Sequence, residues 1–110
     1  MPNNPYIGNR MLPEAERSVA GPFSGASQNV GTALTNNPIV IVFDNQSTVE
    51  VALYWSGILY KTFSAGEAMV LDCRANSGDA KTYTPDLNTQ FSVIGTAGTG
   101  SFRISITYAG

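Results

Sequence analysis

The sequence contains no histidine and a single cysteine, Cys73, among its 110 residues. Without histidine neither a Ser-His-Asp nor a Cys-His arrangement can be built, and the usual zinc ligand set is missing. A lone cysteine closes no internal disulfide, and with no imidazole to lower its pKa Cys73 reads as a small buried hydrophobe. Charge is scarce as well. Charged residues make up 13% of the chain, with six Lys+Arg against eight Asp+Glu and a net charge of −2. Six scattered cations supply no basic patch to release counterions from phosphate, which argues against nucleic acid as a ligand. No apolar run is long enough to span a membrane. The opening residues, MPNNPYIGNRML, lack the basic-then-apolar order of a secretory signal.

Hydrophobic residues account for 43% of the sequence, the composition of a folded chain whose length fits one domain comfortably. They are unevenly organised. Residues 1–38 hold five of the six prolines and many Asn and Gly. Their apolar side chains (Tyr6, Ile7, Met11, Leu12, Val19, Phe23, Val30, Leu34) show neither helical nor strand period, which predicts an extended N-terminal arm. Within it, residues 13–18 (PEAERS) suit one or two helical turns, with Pro at the start and acids in the first turn.

From Ile39 the period becomes two. IVIVF (39–43) is a continuous β-branched run, the mark of a central strand covered on both faces. Val49, Val51, Leu53 and Trp55 alternate with polar or small residues, and ILYKTF (58–63) offers two apolar faces. Met69, Leu71 and Cys73 alternate against Ala68, Val70 and Asp72, QFSVIG (90–95) follows a loop over 74–88, and Phe102, Ile104, Ile106 and Tyr108 complete the set. Six short strands with Gly-rich turns predict an all-β fold, a small antiparallel sandwich or jelly-roll-like domain over 39–110 behind the arm. The surplus of apolar strand faces on so small a core calls for a partner: the arm, another copy or a larger assembly.

GTAGTGS (95–101) has the composition of a phosphate loop, but it joins two strands, lacks the Lys-Ser/Thr pair and is followed by no helix. The glycines read as a hairpin bend with positive φ. Carboxylates such as Glu50, Glu67, Asp72, Asp79 and Asp86 read as solvated surface rather than an acid/base pair. Asn76, Asp79 and Asp86 lack the glutamate and spacing of a calcium cage. Asn45-Gln46-Ser47 matches a glycosylation sequon but reads as turn chemistry. Trp55 shares the inward parity of its strand, leaving Tyr54, Tyr60 and Tyr83 as aromatics that could meet a ligand such as a sugar. No enzymatic activity, metal or cofactor is indicated.

Two segments, KTFSAGEAMVLDCRANSGDA and NTQFSVIGTAGTGSFRISITYAG, resemble the C-terminal β-domain of small structural proteins of tailed-phage virions, head decoration or cement proteins above all. The resemblance covers roughly residues 39–110 and lies in general character rather than in a signature motif. The shared features are a β-domain behind an irregular arm, little charge, and an abundance of Thr, Ser, Gly and Asn. It implies a non-enzymatic protein on the outer capsid surface that binds the major capsid protein and associates with itself, as a homotrimer or alternatively a dimer. It gives the clamping role to Tyr6, Ile7, Met11, Leu12 and Phe23. A carbohydrate- or host-binding module of a tail or fibre is the competing expectation, with Tyr54 and Tyr60 as its contacts.

Overall fold

Consecutive strands of this chain mostly leave one sheet for the other, so loops at both ends bridge the two sheets. The computed structural model describes residues 11–73, 85 and 87–109. Its strands are β1 (Met11–Pro13), β2 (Arg17–Ala20), β3 (Ser27–Asn29), β4 (Pro38–Asn45), β5 (Val51–Trp55), β6 (Ile58–Phe63), β7 (Ala68–Asp72), β8 (Phe91–Gly95) and β9 (Ser101–Ala109). One sheet runs β1-β9-β4-β7, with β2 also paired to β9, and the other runs β3-β8-β5-β6. All pairings are antiparallel. This is an all-β sandwich with the strand order of a jelly roll.

The core follows from period-two alternation on both sheets. Ile41 and Phe43 of β4 and Phe102, Ile104 and Ile106 of β9 face Val51, Leu53, Phe63, Phe91 and Val93 of the opposite sheet, all buried. Its centre is aromatic. Phe63 meets Phe102 edge-on at 5.3 Å between ring centroids, and Phe43 meets Phe91 edge-on at 5.8 Å. Such pairs add about 0.5–1.5 kcal/mol to their area burial.

Several expectations need correction here. The described part of the expected arm is built into the fold: β1 and β2 pair with β9, β3 pairs with β8, and Phe23, Val30 and Leu34 lie in the core. Prolines do not forbid this, because Pro13 closes an edge strand and Pro38 opens a strand, positions where a missing N–H is tolerated. Residues 13–18 form no helical turn; Pro13 ends β1 and Arg17 begins β2. The run IVIVF is not covered on both faces by described residues, since Ile41 and Phe43 are buried but Val40 and Val42 are only half-buried on the outer face. The 95–101 loop is no hairpin either: β8 and β9 lie in different sheets, so it crosses between them.

Two ends can be told apart. At one, the glycine-rich loop meets the 45–49 turn and the chain around Gly21 and Phe23, where Phe23 donates its N–H to Gly98 and Gly21 donates to Gly100. Asn45 locks this end. Its buried amide donates to the carbonyls of Val49 (3.0 Å), Phe63 (3.3 Å) and Ser64 (2.9 Å), while its Oδ1 accepts from the N–H and the hydroxyl of Ser47. The sequon residue is thus fully engaged inside the protein. At the other end lie Met11 opposite Ala109, the start of β4, Cys73 after β7, and the β5–β6 hairpin. That hairpin turns on Ser56 (φ 47°) and Gly57 (φ 86°) alone, the two-residue turn with positive φ at both positions that matches strand twist.

Candidate interaction surface

The hairpin end is where apolar side chains meet solvent. Ile58 is 74% exposed, Leu59 54% and Leu87 47%. Ser56 donates its N–H to the Gln90 carbonyl and accepts from the Gln90 N–H through its hydroxyl, which ties the hairpin turn to the residues just after Leu87. The three aliphatics therefore share one end of the sandwich, the end at which the chain enters β1 at Met11. Large exposed aliphatics at one end of a fold mark a candidate surface for binding other macromolecules.

Next to the turn, the hairpin register explains why ILYKTF showed two apolar faces. Tyr54 pairs with Leu59 and Leu53 with Lys61, so Tyr60 is an extra residue, a bulge. The bulge turns Tyr60 inward, where it stacks on Trp55 at 4.0 Å and packs near Phe43 at 5.9 Å between centroids. Burial, together with Cys73, raises the Tyr60 hydroxyl above its ordinary pKa. Tyr60 is accordingly committed to a stack with its own chain. Tyr54, paired with Leu59, remains on the outer side, half-buried. Trp55 packs against the core rather than inside it, and its indole N–H is buried with no hydrogen-bond partner among the described residues.

Other expected contact residues fall elsewhere. Phe23 is 2% exposed and bridged to Gly98, so it serves the core and not a partner. Leu12 is half-buried on the edge strand β1, opposite Tyr108, and Met11 begins that strand. Tyr6, Ile7, Tyr83 and the calcium candidates Asn76, Asp79 and Asp86 lie outside the described residues.

Groups that could carry chemistry are spent on structure. Glu14 and Arg17, both buried at the side chain, pair at 2.7 Å. Arg17 also donates to the carbonyls of Thr32 (2.7 Å) and Ala33 (3.0 Å), and Glu14 accepts from Asn36 (3.0 Å) and Thr35 (3.3 Å). Burial alone would raise the Glu14 carboxyl, but the bonds from Asn36 and Arg17, the Arg17 charge and the Thr35 bond outweigh it and hold its pKa below the ordinary 4.5. The pair floors a surface notch of about 550 Å³ between the β1–β2 edge and the 31–36 loop. Cys73 is buried, and burial followed by the Asp72 charge pushes its thiol up to about 11, the opposite of an activated cysteine. Glu67 accepts from the Ser64 N–H and pairs with Lys61 at 3.0 Å, and these contacts lower its pKa. Among the described residues no group of three His, Cys, Asp or Glu could hold a metal, and no helix is long and apolar enough to cross a membrane.

Sequence patterning did not single out Leu87 or Val70. Leu87 sits in a loop with no period to mark it. Val70 lay on the outward parity of its strand, and its 64% exposure becomes informative only once β7 is known to be an edge.

No protein-family model and no curated protein matches the chain. A solved structure does share its fold: a chain from Bacillus endospore appendages, described as a novel family of disulfide-linked pili. It superposes with a TM-score of 0.51 over 92% of this chain and 89% of the other, at 12% sequence identity. At that identity the likeness establishes a common architecture.

Proposed function

We propose that this chain is a non-enzymatic building block of a repetitive extracellular or virion assembly, which binds copies of itself and of a neighbouring protein. The observation that carries the reading is the exposure of Ile58, Leu59 and Leu87, all at the end where residues 1–10 join β1. Tyr6 and Ile7 precede that junction, so the segment and the aliphatic end can act as one contact surface: single side chains fill a neighbour's pockets while the hairpin tip packs beside them. A fold shared with a pilus subunit fits a self-associating structural protein. Disulfide linkage does not fit this chain, whose single cysteine is buried and held protonated.

In its finer form the proposal is a decoration or cement protein on the outer head of a tailed phage, with the major capsid protein as partner and self-association as a trimer or dimer. The test is to mix the purified protein with expanded, undecorated phage heads and with buffer alone, and to image both. Binding in hundreds of copies per head, lost in an Ile58→Ser/Leu59→Ser variant that remains folded, supports decoration. Filaments in buffer with bare heads would replace it with a pilus-type polymer. The glycan-binding alternative is weakened by Tyr60, whose ring is taken up by Trp55. Saturable binding on a glycan array, abolished by Tyr54→Ala, would restore it.

A further inference from the structure

An edge strand presents a row of backbone donors and acceptors ready to pair, and folded proteins usually blunt it by shortness, proline, bulges or an inward-pointing charge. Three of the four edges here are blunted in that way. β3 has three residues, all polar. The β1–β2 edge carries Pro13 and is bulged, because Pro13 pairs with Thr107 and Arg17 with Ile104, one more residue on the edge than on β9. β6 is bulged at Tyr60, and Lys61 pairs with the core residue Leu53 while its ammonium lies 4.9 Å from the Phe63 ring.

Among the described residues β7 shows none of these devices. It pairs with β4 without interruption from Val40–Asp72 to Asp44–Ala68, and no described strand pairs with its other side. Cys73 donates its N–H to Ile39 and Asn45 donates to Glu67. By antiparallel alternation, the odd-numbered residues between them turn their polar groups toward β4, whereas Ala68 and Val70 turn theirs away. At the middle of this open edge Val70 is 64% exposed, beside half-buried Val42 on the outer face.

We propose that β7 is a self-pairing edge, on which β7 of a second copy docks antiparallel about a two-fold axis through Val70. The five residues Ala68–Asp72 are complementary to themselves in this register. Val70 exchanges two backbone hydrogen bonds with its own counterpart, Met69 falls opposite Leu71, and Ala68 opposite Asp72, so no carboxylate faces a carboxylate. The valines line up across the axis in the order Val42, Val70, Val70, Val42, which joins two half-covered patches into one apolar row. A surface that closes on itself in this way selects a second copy over an unrelated partner, and yields a dimer. The inference rests on the edges alone and does not require the decoration reading.

The test uses the full chain. Sedimentation should show a dimer that Val70→Lys weakens by at least roughly tenfold in Kd, with an unchanged melting temperature at concentrations low enough for both proteins to be monomeric, because the side chain faces outward. Deletion of residues 2–10 should leave the dimer intact. A readout without substitution is amide exchange: the Val70 N–H should exchange more slowly as protein concentration rises, while the Met69 N–H, bonded to β4, stays equally protected at all concentrations. A monomer, a trimer, a dimer lost on deleting 2–10, or a Val70 amide indifferent to concentration would each overturn the proposal. A dimer that fails to bind heads would leave it standing and remove only the capsid reading.

Discussion

Asn45 shows how one side chain can fix an end of a sandwich. Its amide offers two N–H donors to three carbonyls from two segments, and its oxygen receives both donors of Ser47. Asn45→Ala should therefore cost about 1–3 kcal/mol or more, the penalty for buried polar groups left unpaired. Asn45→Asp, although nearly isosteric, should cost more, because it sets a carboxylate against carbonyl oxygens. Urea denaturation of the three proteins gives the order, and an aspartate variant as stable as wild type would refute the lock. Glu14 bears on pH in a definite direction. Its folded pKa lies below the ordinary 4.5, so its contribution is complete above that value and is lost as pH falls through 4.5 toward the folded pKa. Glu14→Gln should flatten the stability profile below about pH 5. Removing the other partner, Arg17→Met, should destabilise at neutral pH by about 1–3 kcal/mol, since it leaves the Thr32 and Ala33 carbonyls without their donor and takes the charged partner from a carboxylate that keeps only Asn36 and Thr35; urea denaturation checks it.

At the scale of elements, the long strands were legible because alternation needs several residues to declare itself. β5, β7, β8 and β9 lie where period two placed them and β4 where its continuous apolar run did, and Phe102, Ile104 and Ile106 face inward as their spacing requires. β1, β2 and β3 have three or four residues each, too few to show a period, so Phe23, Val30 and Leu34 looked like isolated apolar residues in an arm. The bulge at Tyr60 hid a second regularity by shifting parity inside one strand. The glycine-rich loop crosses between the two sheets, and its glycines serve two purposes. Gly100 has φ +103°, and a Cβ there would lie 2.6 Å from the Ser47 backbone; a Cβ on Gly98 would collide with the Val49 side chain. Both Ala substitutions should destabilise. Only Gly98→Ala should be partly rescued by Val49→Ala, because a side chain can be trimmed and a backbone cannot. Thermal melts of the two single and two double variants decide it, and equal rescue of both would contradict the distinction.

For the whole molecule, the question is where the domain stops and a free contact segment begins. Composition placed that boundary at residue 38, since five of the six prolines lie up to there. The sheets place it no later than Met11, because β1 already pairs with β9 and the connections around β2 and β3 supply three core side chains. Removing residues 1–36 would strip both β1–β2 from one sheet and β3 from the other. The loss of Phe23, Val30 and Leu34 by itself corresponds to several kcal/mol of burial at about 1.5–3 kcal/mol each. A domain of this size holds only about 5–15 kcal/mol in total. That truncation should therefore give an unfolded or aggregating product. Removal of residues 2–10 takes no described strand and no described core residue, so its melting temperature and dimer should match the full chain. If residues 1–10 carry the clamp, the same shortened protein should lose its place on phage heads while remaining folded. Circular dichroism and a head-binding sedimentation assay on the two truncations separate these outcomes. A cooperative fold in the protein lacking 1–36 would show that β1–β3 are dispensable after all.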